Sequence, residues 1–196
     1  MSERILDAAL ELAAASGVQS LTMEAIAQEA GVGRMTVYRR FGNKEALFSA
    51  LGARESRRCI AELDAAAKPD APIADQTAAG FATSLRLVRE HPILNRLARV
   101  EPDTLLYALK ENGGALFGVV QTYMAERLRE SQKAGVLDDD VEVEEVAELL
   151  VRLGISFVLL PESVLALDDE EQVKDFARQL LVPILESPKS RVAGPA

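Results

Sequence analysis

Basic side chains are concentrated in one stretch of the 196-residue chain. Between residues 33 and 58 there are seven basic residues and only two acidic ones. Residues 1–60 hold 8 basic and 7 acidic side chains, whereas residues 61–196 hold 14 and 24. Guanidinium and ammonium groups at this density can donate hydrogen bonds to phosphates, and Arg can also donate to the edge of guanine. The asymmetry indicates an anion-binding segment, although a basic stretch can also be an ordinary solvated surface.

The spacing within residues 34–40 predicts a short helix with two unlike faces. At about 100° per residue, Val37 and Phe41 fall on one side, where they can be buried. Three residues then lie on the opposite side: Met35, Thr36 and Arg39. A helix that reads DNA needs this arrangement, because one side must be fixed while the other offers donors to bases and phosphates. Taken singly, the arginines here could also be solvated side chains.

Residue types needed for other chemistries are scarce or wrongly spaced. One cysteine, Cys59, and one histidine, His91, exclude metal clusters of Cys and His. No phosphate loop, nucleophile elbow or dinucleotide fingerprint occurs, and Asp138–Asp140 lacks the spacing of a calcium loop. We therefore expect no enzyme, no metal and no cofactor. Cys59 is expected to be an inert thiol and His91 a helix cap or packing residue, with a redox switch and a pH sensor as the respective alternatives.

The elements that position these residues are predicted to be helices throughout. Apolar residues recur at helical spacing, and glycine, proline or a capping residue marks the boundaries. The predicted helices cover residues 2–16, 23–30, 34–40, 44–67, 73–90, 93–99, 102–133, 143–160 and 169–186. The seventh can break at Gly113-Gly114, Pro183 should kink or end the last, and Lys68–Pro72 is the clearest linker. An amphipathic start and the lack of an uncharged apolar run of about 18 residues favour a cytoplasmic protein.

Residues 22–48 closely resemble the DNA-binding domain of the TetR family of bacterial transcriptional regulators. The resemblance extends back to Ile5 and covers roughly the first 50 residues, and beyond them only the helical layout is similar. Its signature parts are Ile26-Ala27, Ala30-Gly31-Val32, Val37-Tyr38, Phe41 and Lys44-Glu45-Ala46-Leu47. Gly33 stands where members usually have Ser or Thr, and Met35 where they have a small residue, so neither the usual side-chain cap nor a known operator sequence is expected.

The resemblance implies an all-α fold of about nine helices in two domains. Residues 1–48 would form a three-helix helix-turn-helix DNA-binding domain, and residues 49–186 a helical ligand-binding and dimerisation domain. The helix over 44–67 would connect them. Residues 187–196 are polar and include two prolines, so the sequence itself predicts a disordered tail there. As a homodimer, the protein would place two recognition helices in successive major grooves of a palindromic DNA operator. The residues expected at the DNA are Thr22, Gly33, Arg34, Met35, Thr36, Tyr38, Arg39, Arg40 and Lys44.

The predicted helices over 143–160 and 169–186 carry wide apolar stripes. Two such helices from each subunit would form a four-helix bundle, as the family does, but the stripes could also pack into the core of their own subunit. The expected interface residues are Val146, Leu149, Leu150, Leu153, Phe157, Val173, Phe176, Ala177, Leu180, Leu181 and Ile184.

The resemblance also implies a cavity for a small-molecule effector in the second domain. Candidate lining residues are Phe81, Leu85, Leu97, Tyr107, Phe117, Val120, Tyr123 and Phe157, although most apolar residues at this spacing are plain core. Abundant aliphatic side chains would suit an apolar ligand such as an acyl chain. The expected function is a transcriptional repressor released by its effector. The alternatives are a ligand-insensitive or activating regulator and a non-catalytic helical binding or interaction protein.

Overall fold

The computed structural model describes residues 1–68, 71–110, 115–160 and 162–186, and of 108–110, 115–117 and 186 it describes the backbone alone. Helices and turns make up these residues, with no strand among them, so the predicted all-α class is confirmed. The elements are α1 (Ser2–Ser16), α2 (Met23–Glu29), α3 (Arg34–Phe41), α4 (Lys44–Ala66), α5 (Ile73–Glu90), α6 (Pro92–Arg99), α7 (Pro102–Lys110), α8 (Ala115–Lys133), α9 (Val143–Leu159), α10 (Glu170–Phe176), a π-helical segment (Ala177–Leu181) and α11 (Val182–Glu186).

Helix boundaries follow capping residues that can be read in the sequence. α1 ends where Gly17 takes a φ of 82°, a backbone conformation that residues with a side chain rarely adopt. The Thr22 hydroxyl oxygen accepts from the Ala25 amide at 3.1 Å and begins α2. The Asn43 side-chain oxygen begins α4 in the same way, at 2.8 Å from the Ala46 amide. Gly33 gives α3 no side-chain cap, as its identity predicts.

Packing divides the chain into two compact units. The first combines Met1–Glu62 with Arg89–Glu101, and the second combines Leu63–Val88 with the residues from Pro102 onward. The boundary therefore falls inside α4, and α6 belongs to the first unit. The functional division after residue 48 stays a prediction.

One apolar core holds α1 to α4 together in the first unit. α1 contributes a buried face at helical spacing, α3 contributes the fully buried Val37, and α4 contributes Leu47 and Leu51. Ile93 of α6 packs against the same core. The buried members are Ile5, Leu6, Ala8, Ala9, Met23, Ile26, Ala27, Ala30, Val37, Leu47 and Leu51.

α6 is also tied to α1 by polar contacts. The Arg96 guanidinium donates to the carbonyl oxygens of Ala14 and Ala15, at 3.4 and 3.0 Å. These carbonyls lie in the last turn of α1, where no helical amide can reach them. The Nε of Arg96 also lies 2.7 Å from Glu101 Oε1, which holds the guanidinium in place. His91 acts as the N-cap of α6, because its Nδ1 accepts from the Leu94 amide at 3.3 Å, as predicted for a cap.

The second unit has its own core, to which α5, α8, α9 and the C-terminal helices contribute. Three phenylalanine rings meet there. The Phe81 ring centroid lies 6.1 Å from those of Phe157 and Phe176, which are 5.6 Å from each other. The buried members include Ala78, Phe81, Ala82, Leu85, Ala125, Leu128, Val146, Ala147, Leu150, Val173, Ala177, Leu181 and Leu185.

Pro183 does not end the last helix, which continues to Glu186. Proline lacks an amide proton, and its ring crowds the carbonyl four residues earlier in an α-helix. The turn before it is π-helical over Ala177–Leu181, so the disturbance is absorbed upstream. Among the described residues, no helix combines the length and the apolar composition of a membrane span. The predicted break at Gly113-Gly114, the tail over 187–196 and the middle of the Lys68–Pro72 linker lie outside the described residues.

Candidate nucleic-acid interface

The turn between α2 and α3 fixes the direction of the predicted recognition helix. Gly31 takes a φ of 60°, and the Val32 amide donates back to the Ala27 carbonyl at 2.9 Å. Arg4 of α1 donates to the Gly31 carbonyl at 3.3 Å, which ties the turn to the first helix. The turn is therefore held from both sides, as a rigid reading helix requires.

α3 presents the two faces that its sequence predicts. Val37 is 0% exposed in the core, and Phe41 packs against it in part. On the opposite side Met35 is 75% exposed. Arg39 and Arg40 are also exposed, and Thr36 is half-buried. The predicted phase of this helix is thus confirmed, while the contacts of these side chains with DNA stay a prediction.

Arg34, the first residue of α3, is held by two neighbours. Its Nη1 lies 2.7 Å from Glu24 Oε1, and its Nη2 lies 3.5 Å from the Tyr38 hydroxyl oxygen. Its guanidinium carbon lies 5.2 Å from the centroid of the Tyr38 ring, within cation–π range. The hydrogen bond to Tyr38, followed by the charge of Glu24, raises the pKa of Arg34. Arg34 therefore remains a cation, but not a freely projecting one.

Two further predicted DNA contacts are held against the first unit. The Arg40 Nε donates to the Ser2 hydroxyl at 2.5 Å. The Lys44 ammonium donates to the Gln19 carbonyl at 3.1 Å and lies 5.9 Å from the centroid of the Phe48 ring. An ammonium group has three donors, so Lys44 keeps capacity for a phosphate oxygen.

Arg39 differs from these three cations. Within the part of the chain that the structure describes, it makes no hydrogen bond or ion pair. It lines a cleft of about 390 Å³ together with Thr36 and Arg40 of α3 and residues of the first turns of α1. An exposed guanidinium beside this cleft can turn towards an incoming base edge without first losing a partner.

The remaining predicted DNA residues lie at the edges of this surface. Thr22 and Gly33 are exposed at the starts of α2 and α3, and Tyr38 is half-buried. Sequence reasoning missed the partners that hold the cations, namely Ser2, Gln19, Glu24 and Phe48. Local sequence patterns do not predict these partners, because some of them are far apart in the sequence. Arg40 and Ser2, for example, are separated by 38 positions.

The structure does not bring all predicted effector residues together. Phe81 and Leu85 are buried in the second unit, and Phe157 joins the same core in part. Leu97 belongs to the first unit, whereas Tyr107 and Val120 are exposed on α7 and α8. The side chain of Phe117 lies outside the described residues.

Tyr123, also predicted to contact the effector, serves as an anchor for α4. Its hydroxyl donates to Asp64 Oδ1 at 2.7 Å, and Arg127 Nε lies 3.8 Å from the same oxygen. Burial, followed by the hydrogen bond to Asp64, raises the pKa of Tyr123. The phenol therefore stays protonated and keeps donating. Asp64 is in the last turns of α4, so this bond joins α4 to α8 inside the second unit.

The predicted dimer stripe divides into buried and exposed members. Val146, Leu150, Val173, Ala177 and Leu181 are buried in the core of their own chain. Leu153, Phe157 and Phe176 pack against that core in part. Three members are exposed to solvent: Leu149, Leu180 and Ile184. This last group can meet a second subunit without repacking.

Comparison with known proteins identifies the family. Residues 5–51 match the model of the bacterial regulatory proteins of the tetR family. A Mycobacterium tuberculosis protein named as an uncharacterized HTH-type transcriptional regulator is 30% identical over 192 residues, which cover 98% of this chain and 88% of that protein. Such relatives are DNA-binding regulators and not enzymes.

Solved structures share the whole fold. The TetR family repressor AlkX from Dietzia sp., implicated in biodegradation of n-alkanes, has a TM-score of 0.62 at 23% identity, over 94% of this chain and 95% of that chain. GusR of Salmonella enterica has a TM-score of 0.70 at 18% identity, over 95% of each chain. The fatty acid degradation regulator FadR from Bacillus halodurans has a TM-score of 0.64 at 17% identity, over 94% of each chain. The chain belongs to the TetR family of bacterial transcriptional regulators.

Proposed function

We propose that this regulator represses transcription by binding a palindromic operator as a homodimer, and that a small apolar effector releases it. The observation that carries the proposal is the outer face of α3. Its anchor Val37 is fully buried, whereas Met35 and Arg39 are exposed and Arg39 makes no hydrogen bond or ion pair with any described residue. Arginine is the best donor to guanine in the major groove, and a methionine side chain can meet a thymine methyl.

A homodimer is proposed because one short helix contacts too few bases for specific binding. Leu149, Leu180 and Ile184 are exposed on α9 and the C-terminal helices, which suits a four-helix interface. Two-fold symmetry would then repeat α3 at half-sites about 34–36 Å apart, one turn of the DNA.

The apolar effector is proposed from the residues of the second unit. Phe81 and Leu85 of α5 face the same core as Phe157 of α9, and Phe176 adds a third ring. An acyl chain or a similar molecule could bind among these side chains with few polar partners. Solved structures at 17–23% identity show the fold alone. The proposal of an apolar effector therefore depends on the apolar side chains of the second unit.

Release of DNA is proposed to follow from a change in α4. This helix is fixed to α1 through Arg54 in the first unit and to α8 through Tyr123 in the second. A ligand that favours another position of α4 would alter the spacing of the recognition helices, and only one half-site would then fit. Linkage requires that operator DNA weakens effector binding by the same factor. The predicted cytoplasmic location accords with this role.

The first test selects bound sequences from a random duplex library and titrates the best one against salt. A palindrome with half-sites one helical turn apart, and a steep loss of affinity with salt, would support the proposal. A loss of that affinity with long-chain fatty acids as probes would support the apolar effector, and unchanged affinity would favour a ligand-insensitive regulator. If no sequence is enriched, the proposal fails and the helical domain is left as a non-catalytic binding module.

Two variants separate base reading from phosphate contact. Arg39→Ala should lower the preference for the operator by about 10- to 100-fold and leave non-operator binding nearly unchanged. Lys44→Ala should weaken binding to all duplexes alike and flatten the salt dependence by about one unit. Competition between labelled operator and scrambled duplex measures both effects. Equal effects of the two variants on the two duplexes would contradict the assignment of Arg39.

A further inference from the structure

An acidic side chain lies next to the predicted DNA-reading helix. Glu24 is in the first turn of α2, and its carboxylate pairs with Arg34 at 2.7 Å across the turn. Both side chains face solvent, with exposed fractions of 48% for Glu24 and 59% for Arg34. A carboxylate beside the surface that meets DNA repels phosphates unless a cation cancels it. The pair therefore needs an explanation in terms of binding.

Stability does not supply that explanation. Ion pairs between exposed side chains add little to the free energy of unfolding, because water and salt screen them. Glu24 is an exposed acid in the first turn of α2, where its charge favours the helix dipole only modestly, and the side-chain cap of α2 comes from Thr22. The pair does change the number of cations that are available to DNA phosphates. Glu24 neutralises the charge of Arg34, and the guanidinium carbon also lies 5.2 Å from the centroid of the Tyr38 ring.

The number of cations that contact phosphates sets the affinity for DNA of any sequence. Each phosphate that a protein cation neutralises releases counterions, and binding to non-operator DNA consists almost entirely of such contacts. On the operator, base contacts fix the position of α3 as well, so the protein cannot shift to bring a further cation to a phosphate. Arg39, which has no partner among the described residues, can contribute to base reading, whereas a free Arg34 would add only to the contact that every duplex offers. Withholding Arg34 therefore lowers non-specific affinity more than specific affinity.

We propose that Glu24 is a specificity-determining residue, which acts through Arg34 by keeping this guanidinium off the phosphates of non-operator DNA. The inference rests on the proposed operator binding by α3. On the operator, base contacts hold α3 in the groove and the Glu24–Arg34 pair stays closed. Without Glu24, Arg34 becomes a phosphate ligand on duplexes whose bases do not hold α3 in the groove.

The test measures the affinity for operator and for scrambled duplex against salt in four proteins. They are the wild type, Glu24→Gln, the double variant Glu24→Gln/Arg34→Gln, and Glu29→Gln as a matched control. Glu29 is an exposed acid on the same helix with the same charge change. Glu24→Gln should steepen the slope of log affinity against log salt on scrambled duplex by about 0.9 and lower the operator preference about threefold. The double variant should return to the wild-type slope, because it replaces one neutral pair by another.

Several outcomes would overturn the inference. Equal changes in Glu24→Gln and Glu29→Gln would mean that only net charge matters. A double variant that flattens the slope by about 0.9 would mean that Arg34 already contacts phosphate in the wild type. If Glu24→Gln lowers the melting temperature by more than about 3 °C, the pair is structural instead, since screened pairs contribute less than this. A wild type without sequence preference would instead remove the proposed function itself, so the two failures are distinguishable.

Discussion

At the scale of single residues, Asp169 shows how a carboxylate can make a helix start depend on pH. Its Oδ1 accepts from the backbone amides of Glu171 and Gln172, both at 3.1 Å. Its Oδ2 accepts from the Gln172 side-chain amide at 2.9 Å. These donors, the Gln172 amide first, lower the pKa of Asp169. The ionised form is thus favoured by the folded state.

A pH prediction follows from the sign of this shift. Because the folded pKa lies below the unfolded one, the stabilisation by Asp169 is complete above the unfolded value, near 4, and is lost as the pH falls through the folded value. Asp169→Asn keeps a capping oxygen but cannot ionise. The difference in unfolding free energy between wild type and Asp169→Asn, measured by urea titration, should shrink as the pH falls from about 6 to 3. A constant difference would contradict the assignment.

The candidate DNA surface was only partly predictable at this scale. The exposed and buried sides of α3 follow from helical periodicity, so Val37 and Met35 could be assigned to opposite faces. The partners of the cations could not, since Lys44 meets the carbonyl of Gln19 and Arg40 meets Ser2 only after folding. The sequence therefore predicts which cations are exposed, whereas the structure shows which of them already have a hydrogen-bond partner within the chain.

At the scale of elements, Arg54 joins α4 to α1. Its side chain is only 6% exposed, and its Nη1 lies 2.7 Å from Asp7 and 3.2 Å from Glu3, both on α1. Its Nε lies 2.7 Å from Glu55, a neighbour on α4 that is itself largely buried. Breaking a buried ion pair leaves the partner charge uncompensated, which costs more than losing an exposed pair.

Arg54→Ala should therefore lower the unfolding free energy by about 2 kcal/mol, less than for a fully buried pair because the α1 carboxylates keep some water. Arg58→Ala is the control. Its guanidinium reaches the same Glu55 at 3.4 Å but is 55% exposed, so a loss of at most about 1 kcal/mol is expected. Urea unfolding of both variants measures the difference. Equal losses would mean that Arg54 is not the tie between these helices.

Most elements were predictable because their ends carry local capping signals. The start of α2 at Thr22 and the stop of α1 at Gly17 depend on residues next to the boundary. The assignment of α6 to the first unit was not predictable, because the contact of Arg96 with Ala14 spans 82 positions. The π-helical turn before Pro183 was also missed, since the sequence shows the missing amide but not where the helix absorbs it.

At the scale of the whole molecule, the exposed apolar residues test the proposed dimer. Leu180 is 58% exposed on the C-terminal helix. In a two-fold interface each substitution occurs twice, so Leu180→Glu would bring two unpaired charges into an apolar contact. The dimer dissociation constant should rise about 100-fold or more. Sedimentation equilibrium measures this change, and operator affinity should fall with it.

Val119→Glu provides the control for this experiment. Val119 is 55% exposed on α8 and lies outside the proposed interface, so the same chemical change should leave the association unaltered. Circular dichroism should show that both variants keep their helices. If Leu180→Glu remains as dimeric as the wild type, or if the wild type is monomeric, the four-helix interface is wrong.

The first compact unit is assembled from two separate pieces of chain, Met1–Glu62 and Arg89–Glu101. A single cut would suffice to graft one unit of a regulator onto another protein only if that unit were one continuous piece of chain. A single cut after Glu62 would leave Ile93 and Arg96 behind, and with them part of the core and the donors to the last turn of α1. Transplanting the first unit of this protein therefore needs three junctions, one after Glu62 and one on each side of the Arg89–Glu101 segment.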